Sequence, residues 1–272
     1  MKRGFITLFS VVSLFLHGQE DDYFTPEYLP SYIEMTGSFE MGYTTSSYPI
    51  LEDYSTDGAA GFYTDGITYG ARIQIRLAQA REWYGGLSFQ SLSTPLGNNR
   101  RLAVTASIEA AYPGYTVREI TVTPKTENGL TDINSYNSAY SFNFYAGYGF
   151  RKDRICIGLE GGLQFTASQG MWIDAVLKEQ NTNNEFRLEQ YGTSESSPIA
   201  FGPGIGVDLS YRINRLLEVY GHAQFAFTWY HFTYEEYFTD IFNNSYTYYE
   251  NEYSGQVNFY NIMAGVRYCI GR

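Results

Sequence analysis

One terminal stretch limits the folds open to this chain. Val257 to Ile270 reads VNFYNIMAGVRYCI. Its alternate positions Asn258, Tyr260, Ile262, Ala264, Val266, Tyr268 and Ile270 are mostly apolar or aromatic, and the intervening set turns polar toward Arg267 and Cys269. Side chains of a strand point alternately to its two faces, so this is a strand with one greasy face. It exceeds the ordinary strand of ~5–6 residues and reaches the ~9–11 residues that a tilted crossing of a hydrocarbon layer needs. As the edge of a soluble sandwich it would invite aggregation. It reads instead as the last strand of a closed transmembrane barrel.

The rest of the chain repeats this pattern. Gly66 to Ala78 places Ile67, Tyr69, Ala71, Ile73, Ile75 and Leu77 on one face, against Thr68, Gly70, Arg72, Gln74 and Arg76 on the other. This is period two, not helical spacing. Similar alternation predicts strands from Tyr32 to Tyr43, Trp83 to Ser91, Arg101 to Ala111, Ser138 to Phe150, Arg154 to Thr166, Ile199 to Arg212 and Leu216 to Trp229. Tyr115 to Thr123 is rich in β-forming residues, alternates poorly, and is taken as a further strand. Gaps near 79–82, 112–114, 151–153 and 213–215 are short, and those at 44–65, 92–100, 124–137, 167–198 and 230–256 are mostly longer. Short and long gaps alternate, as periplasmic turns and external loops do in outer-membrane barrels. The expected fold is therefore all-β: a closed antiparallel transmembrane β-barrel of ten strands, with eight as the alternative. Residues 178–198 read as an exposed excursion in the form of a β-ribbon, and 230–256 as an acidic, aromatic excursion.

Composition agrees. Charged residues make up 17% and aromatics 18%, with 27 Tyr against 3 Trp. A tyrosine excess suits side chains that are apolar at one end and wet at the other. The formal net charge of -11 argues against nucleic acid, whose binding needs clustered Lys and Arg. Residues 1–18, with Lys2 and Arg3 ahead of an apolar run, form a secretory signal peptide by pattern. Residues 19–30 read as a periplasmic tether and 31–272 as the barrel.

MKRGFITLFSVVSLFLHG, the alternating strands and the terminal NFYNIMAGVRYCI together resemble a single-chain bacterial outer-membrane β-barrel protein. That resemblance implies outer-membrane location after export, contact with outer-membrane lipid and lipopolysaccharide or its equivalent, dependence on the insertion machinery, and a monomer. Such proteins typically finish on an aromatic residue, whereas this chain finishes Cys269–Ile270–Gly271–Arg272. Ten strands with tall loops, and NFYNIMAGVRY, are also similar to the omptin outer-membrane proteases. That resemblance implies aspartates on the second external loop and an Asp–His pair opposite. Here the second loop, SLSTPLGNNR, holds no aspartate and the fourth holds no histidine, so no catalytic residue is assigned.

The inward-facing set carries the chemistry. Glu34, Glu40, Arg72, Arg76, Glu109, Glu160, Asp208, Arg212, Glu218, His222 and Arg267 form an expected charge-paired interior, because buried charges must be paired or wet. Glu34 and Glu40 are candidate counterions for Arg267. Inward glycines at 147, 149, 158, 162, 204 and 206 leave room for a small-solute path. His222 and Glu218 lie roughly 13 Å apart along one strand at ~3.4 Å per residue, so they do not touch. A Ser210–His222 pair across a hairpin depends on register. Cys156 and Cys269 fall near the same end, which leaves a disulfide open. Externally, Trp229, Tyr230, His231, Tyr234, Tyr237, Phe238 and Phe242 make the last excursion a candidate surface for a protein or glycan ligand. His231 near Glu235 and Glu236 is a weak metal signal, and no metal or cofactor is assigned. The functions left open are surface binding or a structural role, a small-solute pore, and an outer-membrane hydrolase.

Overall fold

The computed structural model describes residues 33–47, 65–77, 82–95, 98–124, 136–168, 171–182, 184–192 and 198–271; the expected leader and tether lie outside them. Eleven strands and one helix occur among the described residues: β1 (Ile33–Ser47), β2 (Asp65–Leu77), β3 (Trp83–Pro95), α1 (Asn98–Ala111), β4 (Tyr115–Pro124), β5 (Tyr136–Lys152), β6 (Ile155–Ser168), β7 (Met171–Glu179), β8 (Glu185–Gly192), β9 (Ile199–Arg212), β10 (Leu217–Asp240) and β11 (Ser245–Gly271). All pairing is antiparallel. Eight strands form a continuous circuit in the order β1, β2, β3, β5, β6, β9, β10, β11 and back to β1. The closing strand thus meets β1, as its sequence predicts.

The ring is polar inside and apolar outside. On β6, the exposed set Ile155, Ile157, Leu159, Gly161, Leu163 and Phe165 alternates with the inward Cys156, Glu160, Gln164 and Thr166. On β9 the exposed set runs Ile199, Phe201, Pro203, Ile205, Val207 and Leu209, with Asp208 and Ser210 inward. The corresponding outward positions from Phe39 to Tyr43, Ile67 to Ile75, Tyr140 to Phe150 and Tyr260 to Tyr268 are apolar or aromatic without a single charge. Ile205 is 65% exposed and Ile262 70%. Water would not tolerate so wide a contiguous apolar band.

β10 and β11 run past the ring without a break in register, from Leu217↔Tyr268 to Asp240↔Ser245. β9 flanks β10 only up to His231, and β8 takes over from Tyr234 to Asp240. β7 then pairs with β8, and β4 with β7. Five strands (β11, β10, β8, β7, β4) thereby continue one side of the ring wall as a second sheet, hereafter the extension. Its inner face carries on from the lumen: Ala226, Tyr230 and Phe232 on β10 share a cluster with Ile173, Ala175, Leu177, Leu188, Val257 and Phe259. Val104 and Ile108 of α1 complete that cluster.

Three expectations fail here. Ten strands do not form one ring among the described residues: of the ten expected, Arg101–Ala111 is helical and Tyr115–Thr123 lies in β4 of the extension, which leaves the alternative count of eight in the circuit. The strand expected from Arg101 to Ala111 is α1. Its apolar residues fit a two-residue period, but Ala103, Ala106, Ala110 and Ala111 are strong helix formers, and Val104 and Ile108 stand at the helical spacing of four. Residues 230–256 are mostly strand rather than loop. The ribbon expected over 178–198 does form as the β7–β8 hairpin, starting from Met171.

Ile108 is fully buried in the cluster under α1. Ile108→Ala is expected to cost about 2–4 kcal/mol of local stability. The loss should appear as faster amide exchange in β4, β7 and β8 with the ring unchanged. Equal protection in variant and parent would contradict this packing.

Candidate functional site

The ring interior is ordered in layers. At the end bearing the short turns, Glu218 accepts hydrogen bonds from Arg212 Nε (2.8 Å) and Arg151 Nη2 (3.1 Å), and Arg212 Nη2 also reaches Glu34 Oε1 at 3.3 Å. Arg267 donates to Asp208 Oδ2 at 2.8 Å and lies 3.5 Å from Glu218 Oε2. Its carboxylates are therefore Asp208 and Glu218, not the expected Glu34 and Glu40. Glu40 instead accepts from Tyr220 Oη (2.9 Å) and Gln90 Nε2 (3.2 Å).

At mid-height, Arg72 pairs with Glu160 and donates through Nε to Tyr145 Oη at 2.6 Å. Its guanidinium also lies 3.8 Å from the Tyr145 ring centroid. Glu160 accepts from Tyr84 Oη at 3.0 Å and meets His222 Nε2 at 3.1 Å. Above this comes a layer of neutral amides: Gln224 Nε2 donates to Asn143 Oδ1 (3.0 Å), Asn143 Nδ2 to Ser88 Oγ (3.0 Å), and Asn261 Nδ2 to Gln90 Oε1 (3.4 Å). The apolar cluster beneath α1 follows.

All the expected interior charges but one face into this lumen. Glu109 does not: it sits on α1 and accepts from the backbone N of Val117 at 2.9 Å. Tyr84 is the main group that sequence reading missed. Its ring lies over glycines: a Cβ on Gly158 would come within 2.2 Å of the Tyr84 hydroxyl, and one on Gly147 within 2.5 Å of the ring. Gly206 similarly seats His222. These glycines therefore make room for lumen side chains rather than for a solute path. The signal was present, since glycines recur on facing strands opposite one bulky residue. A cavity of about 20 Å³ lined by Arg72, Glu160, His222 and Gln224 has room for about one water.

Two chemical arrangements do not form. The residue across the hairpin from His222 is Asp208, while Ser210 faces Tyr220, so Ser210 and His222 make no nucleophile–base pair. Cys156 and Cys269 are both buried and are not joined in a disulfide. Glu34, Glu218 and Cys269 converge within 4.8 Å, but Arg212 already neutralises both carboxylates, which leaves the trio poorly suited to a cation.

The expected external residues divide between the two faces of the extension. Tyr230 is buried, and Tyr234 and Phe238 pack against the cluster, with Phe238 stacked on Tyr112 and Phe186. This corrects their assignment to an external surface; strand parity turns them inward. Trp229, His231 and Tyr237 point the other way, and His231 Nδ1 meets Ser254 Oγ at 2.8 Å. On that outer face Tyr237 lies against Tyr246 and Tyr248, and Glu235 stands directly opposite Glu250. Arg187 there binds both oxygens of Asp174 (2.9 and 2.7 Å), and those hydrogen bonds hold its pKa above the ordinary arginine range.

Phe242 is 88% exposed at the hairpin tip. The tip is held by Asp240, whose Oδ1 accepts from the backbone N of Phe242 (2.9 Å) and Asn243 (3.1 Å). The hydrogen bonds from Asn243 and Phe242 pull the Asp240 carboxyl below its ordinary value. A depressed folded value means that the turn is fully supported above the unfolded pKa and loses this support as pH falls through the folded one. An NMR titration should show the Phe242 and Asn243 amides moving together at a midpoint below the ordinary aspartate range. A midpoint at or above that range would contradict the contact.

No family model matches the chain, and no curated protein matches it. Among solved structures it is similar to a major outer membrane protein from Thermus thermophilus, with 9% identity and TM-score 0.44 over 88% of this chain and 99% of that one. It is also similar to Neisserial surface protein A, with 10% identity and TM-score 0.40 over 86% of this chain and 96% of that one. The outer membrane protease OmpT from Escherichia coli aligns at 11% identity and TM-score 0.35, over 92% of this chain and 99% of that one.

Proposed function

We propose that this chain is an outer-membrane β-barrel anchor with a sealed lumen, exported by its leader, that presents the extension outside the cell as a binding surface. The observation that carries this reading is the charge-free outward band on the ring, set against a lumen of paired charges. Such an inside-out distribution is stable in lipid and costly in water. The ring strands reach the length of a tilted crossing. Eight strands enclose an interior that side chains can fill, which favours an anchor over a pore. The partners that follow are outer-membrane lipid, lipopolysaccharide or its equivalent, the insertion machinery, and an extracellular protein or glycan ligand for a monomeric barrel.

Orientation is tested with single cysteines and a membrane-impermeant maleimide on intact cells. Phe242→Cys should label at once, and Lys152→Cys, beside the β5–β6 turn, only after the outer membrane is permeabilised. The reverse order would overturn the placement of the extension. In planar bilayers the purified protein should give no single-channel steps across salt and voltage; regular steps would restore the pore reading.

A further inference from the structure

The extension has two lateral edges, and they are built differently. β4 forms one. Its register shifts between Val117 and Glu119, it carries Arg118, and it ends at Pro124. A bulge, a cation and a proline are the usual means of keeping a strand edge from pairing. The other edge is the upper half of β11. β1 accompanies β11 only as far as Ser47↔Asn258. From Val257 to Ser245, β11 is paired with β10 alone among the described residues. This stretch, SYTYYENEYSGQV, holds no proline, lysine or arginine, and its register is unbroken. Tyr246 and Tyr249 are exposed along it.

An open edge of this kind presents unpaired backbone donors and acceptors to any extended segment that can lie beside it. The side chains around it select for charge. Glu250 and Glu252 lie on the edge strand, and Glu235 faces Glu250 across the sheet. Like charges directly opposite are unfavourable and are relieved by a cation. No Lys or Arg occurs between Leu216 and Val266. The Tyr237, Tyr246 and Tyr248 rings beside these carboxylates add faces on which an ammonium or guanidinium can rest. A second copy of this edge would set acid against acid. The chain's own residues 48–64 carry Glu52, Asp53 and Asp57 and no Lys or Arg.

We infer that Ser245–Val257 is a strand-addition site for an extended, Lys- or Arg-rich segment of another protein. This rests on the reading of the extension as an external binding surface and specifies its mode. The test uses the full-length protein in lipid nanodiscs and an acetylated, amidated decapeptide of alternating lysine and threonine. Amide exchange within 245–256 should slow by about tenfold or more when the peptide is added. A version N-methylated at alternate residues keeps the charge but loses one edge of donors, and should bind at least about tenfold more weakly. Glu250→Gln with Glu252→Gln should weaken the parent peptide by about fivefold to tenfold.

Equal binding of the methylated peptide would overturn strand addition, leaving charge attraction alone. No peptide binding, or protection elsewhere on the extension, would overturn the site while the maleimide and bilayer results still stand on their own. Slow exchange, before peptide addition, of the alternate amides in 245–256 that point away from β10 would show the edge to be filled by this chain itself, which also overturns the inference.

Discussion

Arg72→Ala should be among the most damaging single changes inside the ring, lowering stability by about 3–5 kcal/mol. Arg72 is 2% exposed and is the charge partner of Glu160, which also holds Tyr84 and His222. Removing the guanidinium strands a carboxylate away from water, and the cost is the desolvation of that uncompensated charge rather than the worth of the pair. Replacing both partners with residues of similar volume, as in Arg72→Met with Glu160→Met, should therefore recover most of the loss. Urea unfolding of the reconstituted protein checks both. A single-variant loss below about 1 kcal/mol would mean that water reaches Glu160 and that the lumen is wet.

The second large effect is on the other side of the wall. Ile205 stands midway along the outward set of β9, opposite Gly161 and Phe225 in register. An arginine there would sit near the middle of the hydrocarbon and should cost about 2–4 kcal/mol in lipid. The same substitution on the outer face of the extension, Glu235→Arg, should change stability by no more than ~0.5 kcal/mol, because that face meets water and the new cation faces Glu250. Vesicle-based unfolding of the two variants separates a lipid-facing band from an ordinary exposed surface. If both behave alike, the ring does not sit in a membrane.

The sequence was most legible where the two faces of a strand differ sharply in chemistry. β2, β6 and β9 alternate greasy and polar residues so strictly that their inward sets could be read residue by residue. α1 was not legible because alanine satisfies either period: Leu102, Val104, Ala106, Ile108 and Ala110 alternate as a strand would, while only Val104 and Ile108 report the helical turn. The ring size was hidden for a different reason. β4 has the composition of a ring strand, and whether a strand joins the ring or the extension depends on its partner, which lies far away in sequence. Within the interior, charges were found because they are rare on an otherwise apolar strand. Their pairing was not, as Arg267 shows by choosing Asp208 over Glu34. The amide layer of Asn143, Gln224, Gln90 and Asn261 lacked a signal of its own, being neutral, common in loops, and informative only once four strands bring it together.

β10 and β11 are the two strands common to ring and extension, and they keep one register from the short-turn end to the Phe242 tip. That continuity has a mechanical consequence. A pull on anything held at the tip or along the β11 edge, directed away from the membrane, runs parallel to these strands. It loads their hydrogen bonds in shear, many at once, instead of peeling them open one after another. The same load passes to β1 and β9 through their ladders within the ring. The root of the hairpin is therefore the whole circumference of the barrel.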